Sequence, residues 1–227
     1  MSARAKGAAP PKYIDGRDYE ALYANYFEKD PGALPALVPG GVSGRVVVDL
    51  CCGSAPVARE MAKMGARRVL AVDGEAAMLP RESVEGVEFV VAGVEAFLDR
   101  LAAAPVDAIV CRQAANYWMA RSEGVGAKLR RALRPGGALV FNTFLDEPSR
   151  EPRVKVIELG GGERIVESTW LAPDGRVHHA QFRSGLEPHA TAFDWIPEAH
   201  FRKILGFFFD VELVRKGPSG VFVCRRK

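Results

Sequence analysis

The sequence has no long apolar run and little cysteine. None of its 227 residues lie in an apolar stretch near the roughly 18 to 20 residues that cross a bilayer. Residues 1–11 lack the apolar centre of a secretory signal, so we expect a cytoplasmic protein without membrane contact. The four cysteines show no C-x-x-C spacing, which argues against a zinc knuckle and a disulfide framework, and we expect no metal.

A dense basic stripe is also missing. The net charge is +3, and basic residues alternate with acidic ones apart from short clusters such as Arg67-Arg68 and Arg130-Arg131. A nucleic-acid groove normally needs a continuous basic surface, so we expect no nucleic-acid partner. Hydrophobic residues at 48% and charged residues at 26% are typical of a globular protein. The length fits one α/β domain with an insertion.

Short apolar segments alternate with helical patterns in the first two thirds of the chain. The predicted strands are residues 45–50, 68–72, 87–91, 107–111 and 138–144. The predicted helices between them are residues 55–64, 75–79, 94–103 and 124–133. Continuously apolar strands separated by helices indicate a parallel sheet that is covered on both faces. Right-handed crossovers then predict a doubly wound, Rossmann-like fold.

The pattern changes after Pro148. Four strands are predicted at residues 154–159, 164–171, 177–183 and 190–195, with glycine and proline turns between them. They form a β-hairpin insert after the fifth strand. A helix at 197–205 and a closing antiparallel pair of strands at 208–214 and 220–224 complete the α/β sheet.

Candidate binding residues follow the first two strands. In an open α/β sheet the ligand lies beyond the carboxyl ends of the strands. The first turn runs from Asp49 to Ala55, and its Gly53 lets the backbone approach a ligand closely. Asp73 ends the second strand at the spacing of a carboxylate that binds ribose hydroxyls. Both aspartates also fit a plainer role as helix caps.

From Val46 to about Phe144 the chain resembles the class I S-adenosylmethionine-dependent methyltransferases of small-molecule type. Cys51 and Ala55 replace two glycines of the family's first motif. The resemblance implies that Asp49 lies near the amino group of the methionine moiety and that Asp73 binds the ribose. Residues 89–95 are similar to the family's adenine loop. Gly93 stands there where the family often has an acidic residue, so either the backbone or Glu95 reads the adenine amino group.

The resemblance implies a larger set of contacts with S-adenosylmethionine. In related enzymes a tyrosine-bearing N-terminal helix closes over the cofactor, and residues 18–27 have the spacing of an amphipathic helix, although any one tyrosine is more typically a packing residue. The implied cofactor contacts are Tyr13, Tyr19, Asp49, Cys51, Gly53, Ser54, Ala55, Asp73, Gly74, Met78, Ala92, Gly93, Val94, Glu95, Cys111, Arg112 and Gln113. The implied acceptor contacts are Tyr23, Asn116, Tyr117, Trp170 and Trp195.

Two adjacent histidines are the main chemical feature of the insert. Strand alternation places His178 and His179 on opposite faces, so only one of them can face a pocket. A histidine that faces the pocket could remove a proton from the acceptor. The catalytic candidates are therefore His178, His179 and Gln113. The alternative is an ordinary histidine on a surface hairpin. Trp170 and Trp195 are likewise candidates either for core packing or for an aromatic cage.

These features divide the chain into functional parts. We expect a disordered lead-in at 1–12, an N-terminal cap helix at 13–40 and a cofactor-binding core at 41–150. The β insert at 151–196 is expected to cap the substrate, and residues 197–227 to complete the core sheet. The expected enzyme is a monomer or homodimer of the general class EC 2.1.1. It transfers a methyl group to an O, N or C atom of a metabolite, mainly by alignment behind the sulfonium methyl.

Other functions remain in competition at this stage. A nicotinamide-dependent oxidoreductase shares the fold, but Cys51 and Pro56 interrupt its phosphate motif and no Tyr-x-x-x-Lys pattern is evident. A non-catalytic binding module on the same fold is a further alternative. The fourth-strand exit lacks the Asn/Asp-Pro-Pro-aromatic pattern of base methylation and the Pro-Cys pair of cytosine chemistry. Residues 111–113 offer no carboxylate pair for magnesium, which argues against a catechol-type enzyme.

Overall fold

A computed structural model describes residues 30–122, 124–158, 162–183, 185, 188–216 and 219–227. Tyr13, Tyr19, Tyr23 and the amphipathic pattern at 18–27 lie outside the described residues. Within these ranges, no helix is both long and apolar enough to span a membrane.

Eleven strands and five α-helices make up the described fold. The strands in chain order are β1 (Val46–Leu50), β2 (Arg68–Asp73), β3 (Val87–Val91), β4 (Val106–Cys111), β5 (Leu133–Phe144), β6 (Arg153–Glu158), β7 (Arg164–Leu171), β8 (Arg176–Arg183), β9 (His189–Asp194), β10 (Phe209–Lys216) and β11 (Ser219–Arg226). The helices are α1 (Pro56–Lys63), α2 (Val94–Leu101), α3 (Ala115–Trp118), α4 (Val125–Ala132) and α5 (Glu198–Leu205). Single 3₁₀ turns occur at Pro35–Leu37 and Ala76–Met78.

Seven strands form the main sheet in the order β10-β11-β5-β4-β1-β2-β3. Neighbours from β5 to β3 are parallel, whereas β11 runs antiparallel to both β5 and β10. The chain proceeds outward from β1 to β3 and then returns to β4 on the other side of β1. The order therefore reverses between β1 and β4, where ligands bind in folds of this kind. The Rossmann-like fold with a closing antiparallel pair is confirmed.

Apolar residues fill both faces of the main sheet. Val47 and Val48, adjacent on β1, belong to two different core clusters and are fully buried. On the face covered by α5, Phe141 of β5 stacks on Phe222 of β11 at 4.9 Å between ring centroids, and Phe201 of α5 packs against both rings. Burial on both faces explains why these strands read as continuous apolar runs.

The strands β6 to β9 form a separate antiparallel meander, here called the insert sheet. It is attached to the main sheet through β9. Phe193 of β9 packs against Tyr117 of α3 and against Phe144 at the end of β5. The predicted β insert is confirmed, and the contacts place β9 beside the segments that follow the carboxyl ends of β4 and β5.

Several predicted bounds shift by one or two residues, and the short helix predicted at 75–79 is a 3₁₀ turn at Ala76–Met78. Two further local features differ from the sequence prediction. The helix α3 was not predicted, because four residues are too few to show a helical period. β5 begins at Leu133 rather than Ala138, because Leu133 pairs with Val106 of β4, and the register then shifts across residues 134–137 before Ala138 pairs with Ala108. Gly136 has a φ of 73°, and a Cβ on Gly137 would lie 2.9 Å from the carbonyl oxygen of Asp107, so glycines permit this irregular pairing.

Gly126 in α4 provides a test of the helix packing. Alanine normally stabilises a helix by up to about 1 kcal/mol relative to glycine. A Cβ on Gly126, however, would collide with the backbone carbonyl of Ile204 and lie 2.7 Å from Cδ2 of Phe208. We therefore expect Gly126→Ala to lower the free energy of unfolding by about 1 to 3 kcal/mol in urea denaturation.

Gly74→Ala is the matched control, because no described atom lies within 4 Å of a Cβ at that position. It should leave the unfolding midpoint nearly unchanged. A stabilised Gly126→Ala protein would contradict the close contact between α4 and the segment from Ile204 to Phe208.

Candidate active site

Asp73 joins the turns that follow the first three strands. Its Oδ2 accepts a hydrogen bond from the backbone N–H of Gly53 at 2.9 Å, and its Oδ1 accepts one from Glu75 at 3.0 Å. Its carbonyl oxygen accepts one from the N–H of Ala92 at 2.8 Å. Burial raises the pKa of Asp73, and backbone hydrogen bonds from Glu75, Gly53 and Gly74 to its carboxylate oppose the rise. Each carboxylate oxygen has a further acceptor site, which suits a pair of ribose hydroxyls.

Left-handed backbone conformations surround these turns. Cys51, Gly53 and Ala55 have φ values of 60°, 53° and 63°, and Gln113 at the exit of β4 has 55°. For a residue with a Cβ this conformation costs about 1 to 2 kcal/mol. Cys51 and Ala55 stand where the family motif has glycine, which has no such cost. Strained residues that gather at one edge of a sheet indicate a functional site.

Asp49 is buried at the end of β1, with 1% of its surface exposed. Its Oδ2 accepts a hydrogen bond from the N–H of Ala58 in the first turn of α1 at 2.9 Å. Burial raises the pKa of Asp49 to about 7, and the positive charge of Arg112 opposes that rise. The helix-capping role is therefore present. It holds the Asp49 carboxylate between the end of β1 and the first turn of α1.

The turns leave room for an adenosyl ligand. A Cβ on Gly74 or Gly93 would meet no described atom within 4 Å, and one on Gly53 would meet only Cε of Met78 at 3.5 Å. The backbone at these glycines therefore faces open space, with an apolar wall beside it. Open space beside the carboxylate of Asp73 is what the predicted adenosine site requires.

Most of the predicted cofactor residues lie on these connected turns. The first turn carries Cys51, Gly53, Ser54 and Ala55, and the second carries Asp73, Gly74 and Met78. The third and fourth turns carry Ala92, Gly93, Val94, Glu95, Cys111, Arg112 and Gln113. Their contacts with a cofactor stay predictions. Among the described residues, no group of three or more histidine, cysteine or acidic side chains could hold a metal ion.

Glu95 is engaged by the protein itself. Its carboxylate accepts hydrogen bonds from Oγ of Ser122 at 3.0 Å and from Nζ of Lys128 at 2.7 Å. The hydrogen bond from Lys128 lowers the pKa of Glu95. Of the two possibilities for reading adenine, this arrangement favours the backbone of the third turn over the Glu95 side chain.

Asn116 connects the main sheet to the insert sheet. Its Oδ1 accepts a hydrogen bond from Oγ1 of Thr143 on β5, and its Nδ2 donates to the carbonyl of Asp194 on β9 at 3.0 Å. Next to it, the N–H of Gln113 donates to Oδ1 of Asn142 at 2.7 Å. Asn116 was predicted to bind the acceptor. Both atoms of its amide group instead hold β9 against the exit of β4, and any contact with the acceptor stays a prediction.

The inner face of the insert sheet, which carries His179, consists of cross-strand rows. The apolar row nearest α3 is Leu171, Val177 and Phe193, and Tyr117 packs against it. The next row is Thr169, His179 and Thr191, followed by Glu167, Gln181 and His189. Oγ1 of Thr191 lies 3.4 Å from the Tyr117 hydroxyl, so the polar rows begin beside the residues that follow β4.

The two adjacent histidines have different environments. His179 is buried on the inner face, and its Nδ1 lies 2.7 Å from Oγ1 of Thr169. Burial, with a smaller effect of His189, lowers the pKa of His179 to about 4, so its imidazole is neutral near pH 7. His178 is on the outer face, where it stacks on Trp170 at 5.3 Å and lies 3.8 Å from a carboxylate oxygen of Asp174.

The two tryptophans also differ from one another. Trp170 shares the outer face with His178, so the structure does not bring it together with His179. Trp195 follows β9 and packs against the apolar row of Leu171, Val177 and Phe193. That position agrees with the core-packing alternative for Trp195. A role of either residue in binding the acceptor stays a prediction.

Sequence reasoning did not select several polar residues of the inner face. They are Thr169, Glu167, His189 and Thr191, which surround His179 and Gln181 through strand register. Burial raises the pKa of Glu167 to about 7. Alternation in β7 and β9 would have revealed which residues share a face. Alternation alone does not give the register that aligns them with β8.

Comparison with known proteins gives a match over most of the main sheet. Residues 47–137 match the family model described as a methyltransferase domain. A curated relative, the ubiquinone biosynthesis O-methyltransferase of Acinetobacter baumannii, is 27% identical over 162 residues. The alignment covers 68% of this chain and 63% of the relative, so the chain spans less than two thirds of that protein.

Solved structures share the fold over nearly the whole chain. DesVI of Streptomyces venezuelae has a TM-score of 0.67 at 16% identity and covers 95% of this chain and 100% of its own. The sugar N-methyltransferase KedS8 of Streptoalloteichus has a TM-score of 0.61 at 18% identity and covers 100% and 98%. The chain is therefore similar to methyltransferases in two respects: residues 47–137 match a methyltransferase domain, and the fold is shared with solved structures that include a sugar N-methyltransferase.

Proposed function

We propose that this methyltransferase transfers the methyl group of S-adenosylmethionine to an O, N or C atom of a small molecule. The acceptor is held between the turns around Asp73 and the inner face of the insert sheet. The contact between Tyr117 and Thr191 carries this proposal, because it brings a buried polar surface to the exit of β4. A site between two packed sheets suits a metabolite better than a folded macromolecule.

The names of similar proteins support a small acceptor. One is a ubiquinone biosynthesis O-methyltransferase and another a sugar N-methyltransferase. They differ in the atom that is methylated, so the resemblance favours the substrate size and leaves the target atom open. We also propose, as expected from the sequence, that residues 151–196 cap the substrate and that residues 13–40 form an N-terminal cap.

The side chains of this protein need to supply little chemistry in this reaction, and their main task is to bind and orient the two substrates. S-adenosylmethionine supplies a methyl group that its sulfonium already activates. Asp73 binds the ribose, and Gln113 and Tyr117 orient the acceptor. His179 is neutral near pH 7 and positions the acceptor through a hydrogen bond, with the insert sheet excluding water. Alignment of the acceptor can provide most of the rate acceleration in such a reaction.

The decisive experiment identifies the product. The protein is incubated with methyl-labelled S-adenosylmethionine and, in parallel reactions, a metabolite extract or total RNA and protein from the same cells, and labelled molecules are identified by mass spectrometry. A labelled small molecule supports the proposal, and label in RNA or protein alone contradicts it. Binding of the cofactor without any transfer would favour the non-catalytic alternative, and tighter binding of NAD would favour an oxidoreductase.

Asp73→Ala tests the ribose contact. We expect it to weaken binding of S-adenosylhomocysteine by about 1 to 3 kcal/mol in calorimetry, because buried hydroxyls lose a charged acceptor. Glu88→Gln is the control, since this exposed carboxylate on β3 pairs with Arg68 and should not affect binding. Equal affinity in folded Asp73→Ala protein would leave the carboxylate with only its structural role.

His179→Asn tests the inner face, with His178→Asn as its matched neighbour on the outer face. We expect His179→Asn to lower kcat about 10- to 100-fold with little change in the KM for S-adenosylmethionine. The His178→Asn variant should retain wild-type turnover. Both variants are assayed with the acceptor that the labelling experiment identifies, and equal turnover in the two would overturn the role of His179.

The same enzyme gives a pH prediction. The pKa of His179 is lowered from 6.5 to about 4, so the neutral imidazole persists as the pH falls through 6.5. Turnover of the wild type should therefore show no histidine transition between about pH 5.5 and 7.5 that His179→Asn removes. A transition near 6.5 that disappears in His179→Asn would show that the imidazole ionises in the working enzyme.

A further inference from the structure

The second polar row of the inner face contains a poorly compensated acid. The name Glu167 row is used here for its three buried residues, Glu167, Gln181 and His189, and the exposed Lys155 of β6 faces Glu167 at the end of the same row. The three residues are 6%, 2% and 4% exposed, so a carboxyl group, an amide and an imidazole are buried side by side. Buried charged and polar groups require hydrogen-bond partners.

The contacts of Glu167 are weak for a buried carboxylate. Its Oε2 accepts a long hydrogen bond of 3.5 Å from Nε2 of Gln181. Its Oε1 lies 3.8 Å from Nζ of Lys155, beyond hydrogen-bond distance, and the Lys155 side chain is 65% exposed. A solvated ammonium at that distance stabilises a buried carboxylate little. Burial accordingly raises the pKa of Glu167 to about 7.

Gln181 adds an independent observation. Its Nε2 is directed to Glu167, while its Oε1 is buried and has no hydrogen-bond partner. Leaving such an acceptor unsatisfied costs about 1 to 3 kcal/mol. The Glu167 row therefore presents two oxygens that need hydrogen-bond donors. They are Oε1 of Gln181 and Oε1 of Glu167, and the Glu167 carboxyl can carry a negative charge.

Only some chemical groups meet this need. A hydroxyl can donate one hydrogen bond to Gln181 but brings no charge to Glu167. A phosphate or carboxylate would be repelled by the acid. An ammonium group carries a positive charge and three N–H donors, which matches both oxygens.

We propose that the Glu167 row is a binding subsite for a protonated amine carried by the methyl acceptor. The subsite lies one row beyond His179, about 7 Å farther from Tyr117 along the strands. The acceptor is therefore an amine-bearing small molecule that spans at least this distance from the transfer site. This inference rests on the proposed function, because it places the acceptor on the inner face of the insert sheet.

Matched pairs of small molecules test the subsite. The protein is loaded with S-adenosylhomocysteine, and its binding of glucosamine is compared with that of glucose, and of serinol with that of glycerol, by ligand-observed NMR at millimolar concentrations. We expect the amine of each pair to bind at least about tenfold more tightly, the size expected of one charged hydrogen bond. Equal binding within the pairs, or no binding of either amine, would overturn the proposal.

Two variants assign the preference to this row. Glu167→Gln should abolish the preference for amines, and Gln181→Met, which removes the unpartnered oxygen with little change in volume, should reduce it. Glu158→Gln is the control, because this exposed carboxylate on β6 pairs with Arg164 and should retain the preference. A preference that survives in both Glu167→Gln and Gln181→Met would place the amine elsewhere and contradict the assignment.

Binding of S-adenosylhomocysteine, measured by calorimetry in the same samples, distinguishes failure of the subsite from failure of the proposed function. If the wild-type protein does not bind S-adenosylhomocysteine, the proposed function itself is contradicted. Normal binding of S-adenosylhomocysteine without a preference for amines would contradict only the subsite.

Discussion

The carboxylate and carbonyl of Asp73 hold three separate turns at one place. The first turn is bound through Gly53, the second through Glu75 and the third through Ala92. Each turn follows a different parallel strand, and the parallel arrangement already brings their ends to one edge of the sheet. The hydrogen bonds of Asp73 hold the three turns in fixed positions relative to one another. The proposed cofactor site is therefore built around Asp73.

A second junction fixes the acceptor side. Asn116 holds β9 against β5, and Tyr117 brings the polar rows of the insert sheet to the exit of β4. The insert sheet is therefore positioned by the same short helix that follows the β4 strand. The four-residue helix α3 therefore supplies two of the side chains that join the insert sheet to the main sheet.

The main sheet was predictable because its strands are apolar on both faces and its helices have a regular period. The closing antiparallel pair and the four strands of the insert were predictable from alternation and from their glycine turns. Alternation also separated His179 from His178, and the structure shows that His179 is the buried one. The candidate cofactor residues could be selected because Asp49, Gly53 and Asp73 are close to the ends of strands in the sequence.

The remaining features depend on contacts between distant segments. Glu167 is notable only when β7 is aligned with β8, because the register places it beside Gln181. The engagement of Asn116 by Thr143 and Asp194 joins residues 27 and 78 positions away. The neutral state of His179 follows from burial, which no local pattern reveals.

A crystal structure with S-adenosylhomocysteine tests the central claim most directly. We expect the ribose hydroxyls to bind Asp73 and the sulfur to face Tyr117 and the adjoining polar rows of the insert sheet. A ribose bound away from Asp73, or a sulfur that faces solvent with the insert sheet turned aside, would contradict it.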